Sequence, residues 1–139
     1  MVAKGFTLIE LLIVMAVIAV LAGITIVGLD PVDRVNAAND AKVQKDVTAL
    51  ASAMETYAAT NAGTYATSQA QLTTNGDIKI ILTAPSGYST YTFSGGAGAA
   101  ATAYGTLKSK KYTNPGTTYW VWCSGSGRAG AKTSSSTCP

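Results

Sequence analysis

The chain has 139 residues, enough for one small domain with an extension and too few for two ordinary domains. Charged residues make up 12% of it, about half the usual share, while hydrophobic residues reach 47% and are concentrated between Phe6 and Leu29. A formal charge of +3 is too small to imply a nucleic-acid binder, and the lack of histidine removes His-based acid–base catalysis, triads and metal ligation.

The first element is the apolar run itself. Residues 4–10 read KGFTLIE, and from Phe6 to Leu29 the only charge is Glu10. As a helix the run would extend about 36 Å, enough to cross a bilayer core. Lys4 in front of it keeps the first residues cytoplasmic and sends the remainder outward. Three fates fit such a run: removal as a secretory signal cut after Ala22, retention as a plain anchor, or cleavage between Gly5 and Phe6. Glu10 separates them, because an unpaired charge in hydrocarbon costs a few kcal/mol, roughly, and calls for a partner or for snorkelling to the interface.

The combination of a basic residue, Gly5, Phe6, Glu10 at fixed spacing and an unbroken apolar run resembles the class III signal of bacterial type IV pilins and type II secretion pseudopilins. The resemblance is tight over the first thirty or so residues and one of layout beyond them. It implies that Met1–Gly5 is a leader removed by prepilin peptidase, and that Phe6 becomes an N-methylated first residue. It also implies that the Glu10 carboxylate pairs with the Phe6 amine of another copy as parallel helices assemble. An α-amino group has a pKa near 7.7–8.0 and is cationic when it makes that pair. The implied partners are other copies in a helical filament, the peptidase, an inner-membrane assembly platform, and the membrane before assembly.

After Leu29 comes DPVDR. Asp30 suits an N-cap and Pro31 the first helical turn, whereas a continuous helix would set the Pro31 ring against the Val27 carbonyl. With Gly23 and Gly28 weakening the same stretch, a break is expected within residues 23–31. The resemblance implies a segment that melts near there on filament packing.

Residues 30–62 read as an amphipathic helix. Val43, Val47, Leu50, Met54 and Tyr57 fall on one face, with Asp33, Arg34, Asp40, Lys42, Lys45, Asp46 and Glu55 expected largely away from that seam. Gly63 suits the C-terminal cap.

Residues 63–139 turn to Thr, Ser, Gly and Tyr. A connecting loop is expected over 64–77, a short strand or helix over 78–82, and strands over 88–93, 103–109 and 117–124. In the last of these Tyr119, Val121 and Cys123 share one face and Trp120 and Trp122 the other. SGGAGAAATA (94–103) and SGSGRAGAKTSSSTCP (124–139) read as flexible loops. In an exported protein the two cysteines, Cys123 and Cys138, most simply form one disulfide. The whole is an α+β fold: a long N-terminal helix whose C-terminal half packs on a small antiparallel sheet, closed by a C-terminal disulfide loop.

Beyond Asp77 there is no acidic residue, while Lys79, Lys108, Lys110, Lys111, Arg128 and Lys132 all follow it. Lys108, Lys110 and Lys111 are candidate contacts for an anion such as DNA, and exposed aromatic rings beside lysines for surface glycans. No phosphate loop, nucleophile elbow or cluster of metal ligands is present, so neither an enzyme nor a cofactor is expected.

The resulting expectation is a structural pilus subunit, first in the cytoplasmic membrane as a single-pass protein with its C-terminus outside, then in an extracellular fibre. The competing readings are a secretion pseudopilin and a non-assembling anchored protein. The major secretion pseudopilin typically carries a calcium site in its C-terminal loops, and calcium sites usually need carboxylates.

Overall fold

The computed structural model describes residues 5–139 apart from 29, 99 and 137, with the backbone alone for 24–28. In chain order the elements are α1 (Leu8–Gly28), α2 (Pro31–Thr60), α3 (Gln69–Asn75), β1 (Thr92–Ser94), β2 (Thr102–Thr106), α4 (Lys110–Thr113), β3 (Tyr119–Cys123) and β4 (Arg128–Lys132). They fall into two compact units, Met1–Val32 and Asp33–Pro139.

In the first unit α1 is apolar on every side, and each of its described side chains is exposed. A helix of this kind is stable only when lipid or other helices cover it. Among the described residues no helix is long and apolar enough to cross a membrane. The described side chains of α1 stop at Gly23, whereas the apolar run of the sequence continues to Leu29. Gly28 ends α1 and Pro31 begins α2, while Gly23 lies inside α1. Asp30, just before Pro31, has a φ of 39°, in the left-handed region that a short polar side chain tolerates. Pro31 follows naturally, since the first helical position has no use for the missing N–H.

In the second unit α2 lies on a four-stranded antiparallel meander of order β1-β2-β3-β4. Val43, Val47, Leu50 and Met54 are fully buried and Tyr57 half-buried, so the 4,3 spacing identifies the packed face. Asp40 and Asp46 depart from expectation. Rather than lying away from the seam they are 1% and 8% exposed. The sheet side supplies their donors: Tyr88 Oη donates to Asp40 Oδ1 at 2.8 Å and Tyr91 Oη to Asp46 Oδ2 at 2.6 Å. The Lys42 ammonium completes the second site, 2.7 Å from Asp46 Oδ2 and 2.6 Å from the Thr83 carbonyl oxygen. A buried carboxylate so supplied is tolerated, and one stripped of a donor is not.

Register sets the two sheet faces. Ala103 pairs with Trp122 and Gly105 with Trp120, and these residues look toward α2. At Gly105 a Cβ would lie 2.6 Å from Val43 Cγ1 and 3.0 Å from the Tyr91 ring, so only glycine admits the helix this closely. On the opposite face Val121 and Cys123 are also fully buried. The C-terminal segment covers that side: Cys123 is bonded to Cys138 with Cα atoms 5.6 Å apart, and Pro139 lies against Gly130.

Three elements were not anticipated: α3, β4 and the single turn α4, which follows the amides held by Asp40. The connecting loop contains α3, capped by the Ser68 hydroxyl, which accepts from the Gln71 amide at 3.3 Å, and by Gly76 at a φ of 89°. The expected C-terminal flexible loop contains β4, a Gly/Ala strand with no apolar alternation, held by pairing to β3 across a short turn. Segment 78–82 forms neither strand nor helix. The Gln69 side chain grips it instead, accepting from the Leu82 amide at 2.8 Å and donating to its carbonyl at 3.2 Å. The expected strands at 88–93, 103–109 and 117–124 are observed as β1, β2 and β3 with shifted or shorter bounds. The Leu107 amide still donates to the Thr118 carbonyl at 2.8 Å, and the strand goes no further because Asp40 captures the Lys108 and Ser109 amides.

Replacing Gly105 by Ala forces the helix–sheet contact apart and should cost about 1–3 kcal/mol, read from chemical denaturation, with the disulfide intact. Burial, then the Asp46 hydrogen bond and charge, push the Tyr91 hydroxyl well above its ordinary pKa of 10.0. That contribution to stability is complete below about pH 10 and is lost as pH rises toward the folded-state value. The melting temperature should therefore fall above pH 10, and more steeply in the parent than in a Tyr91→Phe variant.

Candidate processing and assembly segment

The segment that carries the candidate chemistry is Gly5–Glu10. Gly5 is open on all sides, since a Cβ built there would meet nothing within 4 Å, and Phe6 is 78% exposed. A peptidase approaching the Gly5–Phe6 bond therefore meets no obstruction from the described residues.

The next residues form a reciprocal cap at the start of α1. The Thr7 amide donates to Glu10 Oε2 at 2.9 Å, the Thr7 hydroxyl donates to the same oxygen at 2.6 Å, and the Glu10 amide donates to Thr7 Oγ1 at 3.3 Å. This is a capping box, in which a Thr and a Glu three residues on satisfy each other's orphan amides. Thr7-Leu8-Ile9-Glu10 displays the pattern in plain sight. Sequence reading passed over it because Glu10 was assigned a partner in another copy. In the isolated chain the acid is supplied from its own helix start, which lowers the cost of holding it in an apolar run. Among the described residues Oε1 accepts nothing within the chain and so remains open to a donor from outside.

The geometry also fits the chemistry of cleavage. A cut after Gly5 would convert the Phe6 amide nitrogen into an ammonium directly before Thr7. The carboxylate is held one turn away at the positive end of the helix, where an anion is favoured. Thr7 keeps it there instead of letting it swing along the helix.

Residues 1–26 match the family described as the prokaryotic N-terminal methylation motif. That motif is the class III signal of type IV pilins and pseudopilins. It supports a pilin-like or pseudopilin protein, and it implies processing by prepilin peptidase and assembly into a filament from the membrane. No curated protein and no solved structure matches the chain.

The remaining sequence-derived residues lie in the other unit. Cys123 and Cys138 form the disulfide, at the end of β3 and beside β4. Lys108, Lys110 and Lys111 sit on one turn, but not as three loose ammonium groups. Lys108 Nζ donates to the Gly87 carbonyl and lies 5.3 Å from the Tyr88 ring centre, and Lys111 Nζ lies 5.1 Å from that of Tyr112.

Carboxylates of α2 hold the backbone of this turn. Asp40 accepts from the Lys108 and Ser109 amides at 2.9 Å each, and Asp33 from the Lys110 amide at 2.6 Å. The lysines therefore ride on a segment that is itself pinned by acids, which offsets part of their field. Among the described residues no group of three His, Cys, Asp or Glu side chains could hold a metal ion.

A Thr7→Ala variant should leave the Asp33–Pro139 unit unchanged by circular dichroism. The loss of the capping box should reduce helix stability by about 0.5–2 kcal/mol. In cells it should accumulate as membrane-bound subunit with fewer fibres, read by fractionation, while Thr7→Ser behaves as the parent.

Proposed function

We propose that this chain is the structural subunit of an extracellular type IV pilus. Prepilin peptidase cuts it between Gly5 and Phe6 and methylates the new amine. The apolar helix holds the subunit in the cytoplasmic membrane in a single pass until assembly. Lys4 remains on the cytoplasmic side and the disulfide-bearing unit lies outside, where cysteines oxidise.

The observation that carries this reading is the capped Glu10 behind an open Gly5–Phe6 bond at the head of an apolar helix whose described side chains are all exposed. Two opposite charges a few ångströms apart in weakly screening surroundings attract by several kcal/mol, roughly. A neighbouring subunit whose Phe6 amine reaches the open Oε1 gains that attraction only in the correct stagger, so register is selected as the filament grows.

The Cys123–Cys138 loop and the absence of any Asp or Glu after Asp77 favour a pilus over a secretion pseudopilus, for which a calcium site would need such side chains. DNA and surface glycans are candidate ligands of the finished fibre.

Peptide mapping of the mature protein should begin at a methylated Phe6, and electron cryomicroscopy should find this chain as the repeating unit of surface fibres. A start at Met1 or Gly23 overturns the reading, as does a deletion strain that keeps its fibres but loses protein export. Glu10→Gln should still be cleaved and should lower fibre abundance at least tenfold.

A further inference from the structure

Two edges of the sheet carry features that nothing among the described residues satisfies. On the β4 side a groove of about 160 Å³ runs between α2 and the β3–β4 hairpin, lined by Thr48, Ala51, Ser52, Glu55, Trp122 and Ala129. Glu55 is exposed and, among the described residues, makes no hydrogen bond or ion pair. The other acids of α2 in this unit are all engaged, with Asp33 and Asp40 on the lysine-bearing turn and Asp46 on Lys42 and Tyr91. Glu55 therefore stands apart as an acid at the mouth of a groove lined by two hydroxyl side chains, two alanines and the edge of an indole.

On the β1 side, segment 78–84 runs beside Thr90 and Tyr91. Gln69 and Lys42 pin it at Leu82 and Thr83. Ahead of those anchors it presents Lys79, exposed and without a partner among the described residues, followed by Ile80 and Ile81, 69% and 57% exposed. With Val35 these are the exposed large aliphatic residues among the described residues of the unit. One edge thus offers an acid in a groove of mixed lining, and the other a cation with apolar neighbours.

We infer that Lys79–Ile81 of one copy docks in the Glu55–Trp122 groove of the next. The ammonium meets the Glu55 carboxylate, and the aliphatic surface covers Ala51, Ala129 and the indole edge. Lys45, Arg128 and Lys132 are also without partners among the described residues. Arg128 and Lys132 belong to β4, the groove's own edge, and none of the three is flanked by exposed aliphatic residues. Because the two patches differ, the contact is heterologous, the kind that propagates into an open helical filament when its rotation does not close. The inference rests on the fibre reading and adds a second contact, outside the apolar helix, that selects the same neighbour.

The test is a charge exchange in the full chain, with surface fibres sheared and quantified. Glu55→Lys and Lys79→Glu should each lower fibre yield several-fold, and the combined exchange should restore more than half of it. Unchanged yield in both single variants, or a double variant no better than either, overturns the docking.

A second measurement leaves the charges in place. Ser52→Cys combined with Ile80→Cys should give covalent multimers in non-reducing gels of assembled fibres, with the native cysteines already paired. Assembled fibres that stay monomeric in such gels overturn it too. An unaltered chain that forms no fibres removes the functional reading itself, whereas normal fibres indifferent to both exchanges remove only this contact.

Discussion

A carboxylate taken out of water has to be given donors, and this molecule is organised around that requirement. Asp40 is almost wholly buried and draws in two backbone amides and a tyrosine hydroxyl. Asp46 takes a tyrosine hydroxyl and a lysine. Together they fix which loop segments lie over α2 and where β2 stops. Hydrophobic burial along Val43, Val47, Leu50 and Met54 supplies much of the stabilisation. It is indifferent to small slides of helix against sheet, and hydrogen-bonded acids are not. The same requirement at Glu10 is met in the first unit by Thr7, at the price of one turn of helix start committed to a capping box.

The two units meet this constraint for different ends. In the second, every donor to Asp40 comes from within the chain, and the site is closed. In the first, among the described residues, one carboxylate oxygen is occupied and the other is not, so the site is complete enough to tolerate an apolar setting and incomplete enough to reward a neighbour. A filament reading needs both properties, because a subunit must be stable while it waits and more stable once it is incorporated. An exposed apolar helix provides affinity for like helices but little choice among staggers. A charge pair provides the choice.

Legibility followed the range of the interactions. The seam of α2 was readable because helical spacing alone places its four fully buried residues on one face. Strand β3 was readable from TTYWVWCS, whose aromatic and β-branched content leaves few other conformations. The capping box was equally local and was overlooked only because another role had been assigned to Glu10. Strand β4 was not readable: Arg128-Ala129-Gly130-Ala131-Lys132 has no strand pattern and owes its conformation to β3 on one side and the disulfide-closed tail beyond. Nor was the burial of Asp40 and Asp46, since polarity argues for exposure until a partner is known to arrive from residues some 45 to 69 positions away.

By itself the sequence determined the N-terminal apparatus, the helix interruption at Pro31, the packed face of α2 and the pairing of its two cysteines, because each depends on neighbours along the chain or on a choice with one solution. Only the tertiary structure decided which acids lie inside, how the lysine-bearing turn is pinned, where β4 forms and what Glu55 and Lys79 leave unsatisfied at opposite edges. Those outcomes depend on donors and surfaces brought together from distant positions, and the pattern of residues along a chain carries no record of that meeting until the chain has folded.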